Sequence, residues 1–99
     1  MDDVEWLQTW YQSCCNGRWE HQYGVKIDTL DNPGWKLRID LVGTPLDGRA
    51  MEAIESDRSG TDWLFCGVQD GAFIGRCDPS KLTKLIAIFR EWSSRKDKS

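Results

Sequence analysis

Ninety-nine residues with 13 basic and 16 acidic side chains and a pI near 5.0 make one small acidic domain, large enough to close a single core without obligatory disulfides. Nothing approaches the roughly 20-residue apolar run that crosses a bilayer. The start Met1-Asp2-Asp3 lacks the basic-then-apolar pattern of a secretion signal, so the expectation is a cytoplasmic protein with no membrane partner.

The first predicted element is a helix over about Asp3–Cys15. Asp2 and Glu5 stand at capping-box spacing and Asn16-Gly17 supplies a stop. Val4, Leu7, Tyr11 and Cys14, with Trp6 and Trp10 alongside, form its apolar stripe. Two strands follow. Val25, Ile27 and Thr29 alternate with Lys26, Asp28 and Leu30, and Trp35, Leu37, Ile39 and Leu41 alternate with Lys36, Arg38 and Asp40. With Asn32-Pro33-Gly34 as the loop, Val25 faces Leu41 and Ile27 faces Ile39 on one side. On the other, Lys26 meets Asp40 and Asp28 meets Arg38. That register matches apolar with apolar and cation with anion, and it would give Gly34 a positive φ.

Gly43-Thr44-Pro45 and Asp47-Gly48 mark turns, and a strand is expected over Arg49–Arg58. Asp70-Gly71 is a type I′ hairpin signal. It pairs Val68 with Phe73, Cys66 with Gly75 and Leu64 with Cys77 on a core face. Trp63, Phe65, Ile74 and Arg76 fall on the opposite face, where so many apolar groups call for a covering loop, chain or partner. The last helix has Asp78 as its expected cap, Pro79 in its first position, and Leu82, Leu85, Ile86, Phe89 and Trp92 on one face. Arg95-Lys96-Asp97-Lys98 reads as a solvated, frayed terminus.

The order Trp-Glu-His from residue 19, Tyr-Gly-Val from 23, Thr-Leu-Asp-Asn-Pro-Gly-Trp from 29, Asp-Trp-x-x-Cys from 62 and Phe-Arg-Glu-Trp from 89 resembles the immunity protein 53 family over about residues 4–92. The resemblance implies an antidote of a bacterial polymorphic toxin system, one that binds a cognate toxin domain in the producing cell.

The residues themselves offer little chemistry. Glu20 and His21 are the only acid–imidazole neighbours, and in an extended segment they would point to opposite faces. Cys14, Cys15, Cys66 and Cys77 stand at no metal-ligand spacing, so reduced thiols without metal are expected, and no cofactor. Lys26, Lys36 and Arg38 interleave with aromatics as in single-strand binders, but Asp28 and Asp40 beside them would cancel the field. With the acidic pI, this argues against nucleic acid. Residues 1–60 hold eleven acids against six bases, which would suit a basic toxin such as a nuclease domain.

The reading is an α+β domain over residues 1–93 with a charged tail over 94–99. It comprises an N-terminal helix, an antiparallel meander of about five strands and a C-terminal helix, with both helices on one sheet face and the other face left for a partner. The function expected is stoichiometric toxin neutralisation without catalysis. Trp19, Tyr23, Trp35 and Trp63 are the candidate anchors, and Glu20, His21, Asp28, Arg38 and Asp40 the candidate polar contacts. The alternative is a small enzyme or ligand-binding protein with a pocket near Glu20, His21 and Trp35. Sequence leaves the oligomeric state open.

Overall fold

The computed structural model describes residues 1–95; residues 96–99, most of the charged tail, lie outside the described residues. Helix α1 covers Asp3–Cys14, a single-turn helix α2 covers Trp19–Gln22, and α3 covers Leu82–Ser94. The strands are β1 (Val25–Leu30), β2 (Gly34–Asp40), β3 (Ile54–Ser59), β4 (Asp62–Gln69) and β5 (Ala72–Cys77). All neighbouring strands are antiparallel, in the order β1-β2-β5-β4-β3. The protein is thus the expected α+β sheet between two terminal helices. A β1–β2 hairpin lies beside a β3–β4–β5 meander, and β2 and β5 are the one neighbouring pair that is not consecutive in sequence.

Helix α1 starts where its sequence says it should, with the Asp2 carboxylate accepting from the Glu5 amide at 2.8 Å. Its buried side differs from the expected stripe. Leu7 is buried and Trp6 and Trp10 pack on the core, whereas Val4 and Tyr11 are exposed. The helix is rotated so that both indoles meet Phe89 of α3 edge-on, at centroid distances of 5.8 and 5.1 Å. Arg90 fastens the same contact, bridging to Asp3 and lying over the Trp6 ring.

Helix α3 buries Leu85, Ile86, Phe89 and Trp92 as its periodicity foretold. Its start does not follow the sequence expectation. Asp78 does not cap α3, which begins at Leu82 with Lys81 in the cap position. The buried Asp78 carboxylate instead organises the turn before it, accepting from the Trp63 and Ser80 amides, the Ser80 hydroxyl and Lys81. The Lys81 ammonium and then the Ser80 hydroxyl hold its pKa far below the usual carboxylate range. Asp62 and then Asp78 push the Lys81 pKa up.

Helix α3 lies over β2 and β5, and the core forms there from Leu37, Ile39, Leu64, Phe73 and Cys77. Gly75 makes the approach possible, because a Cβ at that position would come within 2.8 Å of Leu85. Strand β1, at the edge, extends past this cover. Ile27 therefore stays exposed although it points to the helix side. Residues Arg49–Ala53, expected as part of a strand, instead run beside the end of α3. Trp92 donates its indole N–H to the Ala50 carbonyl, and Arg49 lies over the Trp92 ring and donates to the Ser93 carbonyl.

The second hairpin has the predicted register, with Asp70 and Gly71 both at positive φ in its turn. The first is shifted by two residues. Val25 faces Ile39, Ile27 faces Leu37, and the loop is Asp31-Asn32-Pro33 with a cis Asn32–Pro33 bond. Two local demands outweigh cross-strand charge matching, which contributes roughly 0.2–1 kcal/mol per pair. Gly34 belongs to β2, not to the loop, and has no positive φ; a Cβ there would collide with the Cys77 carbonyl oxygen and crowd the Trp63 ring. Asp40, in turn, exchanges hydrogen bonds with Gly24 through its amide and its carboxylate, each at 3.0 Å.

Candidate interaction face

The face of the sheet turned away from α1 and α3 carries Lys26 and Asp28 from β1 and Lys36, Arg38 and Asp40 from β2. Ile74 and Arg76 of β5, Trp63, Phe65 and Gly67 of β4, and Glu55 and Asp57 of β3 complete it. Alternation puts them there, since their strand neighbours Leu37, Ile39, Leu64, Phe73 and Cys77 are in the core. Trp63 and Phe65 lie side by side with centroids 6.1 Å apart, and Phe65 is 37% exposed. Beside them the missing side chain at Gly67 leaves a shallow notch of about 290 Å3 bordered by Ala53, Glu55, Phe65, Ile74 and Arg76.

The two-residue register shift reverses one of the two charge pairs expected for this face and keeps the other in kind, with Lys36 replacing Arg38 opposite Asp28. Lys26 stands opposite Arg38, and Lys36 has Asp28 on one side and Arg76 on the other. Arg38 bridges to Asp40 at 3.1 Å, which accounts for both. Among the described residues, Lys26, Lys36 and Arg76 make no ion pair. Like charges directly opposite each other weaken a sheet. The cations gather on β1, β2 and β5, while Glu55 and Asp57 lie across the aromatic strip on the far edge.

The sequence-selected residues divide into two groups, with one residue apart from both. Asp28, Arg38, Asp40 and Trp63 lie on this open face, but Asp40 is nearly buried and tied to Gly24 and Arg38. Trp19, Glu20, His21 and Tyr23 cluster at α2, a helical turn where an extended segment was expected. Trp19 is a core residue and not a surface anchor: it is 5% exposed, donates to the Val42 carbonyl at 2.8 Å, and packs on Trp10, Tyr11 and Tyr23. Asn16 accepts from the Arg18 and Trp19 amides, and the Glu20 carboxylate turns back to accept from Asn16 and Gly17. Backbone amides, its own first and then that of Asn16, hold the Glu20 pKa below the usual range, with a smaller share from His21. His21 and Tyr23 border a shallow hollow of about 480 Å3 together with Tyr11 and Lys26.

Trp35 belongs to neither group. It points to the helix side and donates to the Pro79 carbonyl at 3.0 Å, and among the described residues the two hollows that His21 borders do not include it. A larger hollow, about 1150 Å3, lies between residues 49–55 and the end of α3 and contains none of the sequence-selected residues. All four cysteines are free thiols. Cys66 and Cys77 are buried, and burial pushes the Cys66 thiol up to about 11. Among the described residues no cluster of three or more His, Cys, Asp or Glu side chains is placed to hold a metal, and no helix is long and apolar enough to cross a membrane.

A family model described as immunity protein 53 matches residues 4–94, from the first turn of α1 to the last residue of α3. The chain belongs to the immunity protein 53 family. No curated protein and no solved structure matches it. The family assignment thus covers the sheet and both terminal helices as one unit. Of the open face of this immunity protein, sequence reasoning found Trp63, Phe65, Ile74 and Arg76 but missed the Gly67 notch and the opposed cations. The notch was signalled by a glycine interrupting an aromatic face; the Lys26–Arg38 opposition was hidden by the misplaced loop, and that of Lys36 and Arg76 by the β2–β5 pairing, which joins strands distant in sequence.

Proposed function

We propose that this immunity protein neutralises a cognate toxin domain by binding it in a fixed ratio, without turnover, in the cytoplasm of the producing cell. Residues 1–93 would form the binding domain, and the charged residues after them a tail. The observation that carries the reading is the open sheet face. A broad, shallow surface with half-buried aromatics and arginines is the composition protein interfaces favour. Family membership supplies the class of partner. A catalytic antidote would need groups converging on one substrate atom. Glu20 is instead engaged with the amides of its own turn, and Trp35 lies on the other side of the sheet.

The test is co-expression with the toxin domain encoded beside this gene. Growth should be rescued, and the two proteins should co-purify at one fixed ratio. Failure to associate with that product, with no rescue, would end this reading.

A further inference from the structure

We infer that the open sheet face receives an acidic segment of the toxin, whose carboxylates meet Lys26, Lys36 and Arg76 while an apolar side chain enters the Gly67 notch. This rests on the binding reading above and names the chemistry of the partner at that site. It also reverses the polarity that the overall charge suggests: the protein is net −3, yet on β1, β2 and β5 this face carries Lys26, Lys36, Arg38 and Arg76 against Asp28 and Asp40.

Three observations carry it. The sheet opposes Lys26 with Arg38 and Lys36 with Arg76; Asp40 answers Arg38 and Asp28 faces Lys36, but Lys26 and Arg76 each have a cation as their directly opposed partner on β2, which an anionic partner would relieve. Asp40, the acid deepest in this face, is occupied by Gly24 and Arg38 and so is not offered outward. The notch at Gly67 has Arg76 on its β5 side and Glu55 on its β3 side, so a segment with an apolar group in the notch would place a carboxylate toward Arg76 and away from Glu55. The face also has a direction, since Glu55 and Asp57 along β3 would repel the same segment and fix which end lies over β1 and β2.

The experiment measures affinity by calorimetry between the intact protein and the purified toxin domain encoded beside it, at two salt concentrations. Lys36→Glu with Arg76→Glu should weaken binding by roughly a hundredfold or more and flatten its salt dependence. Gly67→Leu, whose Cβ would meet Ala53 at an ordinary 3.6 Å and whose side chain would occupy the notch, should weaken it by roughly tenfold. Lys84→Glu, on an exposed position of α3, should leave it unchanged. Thermal melts would show that each variant is folded. Full-strength binding by the double reversal, in a folded protein, would overturn the inference and leave the binding reading standing. No complex with the unaltered protein would remove both. A single-stranded oligonucleotide that binds this face and is released by the same double reversal would overturn it in favour of nucleic acid.

Discussion

The ring of Trp63 occupies the space that a side chain at residue 34 would need: a Cβ built on Gly34 would approach its Cη2 and Cζ2 atoms to 3.0 Å. The same Cβ would strike the Cys77 carbonyl oxygen, which belongs to the sheet and cannot move aside. Gly34 is therefore the seat of Trp63 on the open face, and it joins the first hairpin to the second.

Gly34→Ala should cost about 1–3 kcal/mol of stability, the usual penalty of overpacking, as read by urea denaturation. Gly24→Ala is the comparison, because a Cβ there meets nothing within 4 Å. Equal stability of the two alanine variants would show that Trp63 and the Cys77 carbonyl do not confine residue 34.

Asp78 should set the acid limit of the fold. Its pKa is depressed in the folded state by Lys81 and Ser80, so its contribution is full above the unfolded value of about 3.9 and is lost as pH falls toward the lower folded value. Lys81 has the opposite sign: its raised pKa means its share is lost only as pH rises through the alkaline range. Asp78→Asn should lower the melting temperature at pH 7 and flatten the decline below pH 4. A variant that melts like the wild type at pH 7 would contradict the role assigned to this carboxylate.

How much of this was legible beforehand follows from where each signal resides. Helix α3 and the β4–β5 hairpin could be read because Leu85, Ile86, Phe89 and Trp92 keep one period and Asp70-Gly71 dictates one turn. The β1–β2 register could not, because the edge strand has little cover and its charge matching is outweighed by Gly34 and Asp40, whose roles depend on residues 29 and 16 positions away. Asp78 misled for a related reason: Ser80 and Lys81 close a turn before the helix can begin. The open face was half visible, its aromatics by alternation, its polarity only through the register.

Thiol labelling should separate the cysteines into two pairs. With a disulfide reagent at pH 8, Cys14 and Cys15, which are partly exposed, should react first. Cys66 and Cys77 should react only on unfolding, since both are buried and burial pushes their thiols up, Cys66 to about 11. Immediate labelling of all four thiols in the native protein would contradict the core placement.

Phe65 is a cleaner probe of the interface than Trp63, whose ring also packs against Gly34. Phe65→Ala should lower the melting temperature modestly, since the ring is 37% exposed, but cost about 2–4 kcal/mol in toxin binding, roughly a 30- to 1,000-fold loss of affinity. Unchanged affinity would remove the aromatic strip from the interface.

His21→Gln should leave protection against the toxin intact, because His21 is exposed and the carboxylate of neighbouring Glu20 is held by Asn16 and Gly17. Growth rescue by this variant at wild-type level is the expected result. Loss of rescue while the complex still forms would point to a catalytic antidote.

Native mass spectrometry of the purified protein mixed with the toxin domain encoded beside it tests neutralisation by binding most directly. One complex of fixed ratio should appear, and both chains should keep their unmodified masses when it is dissociated. A toxin chain whose mass has changed, with no complex present, would contradict the account.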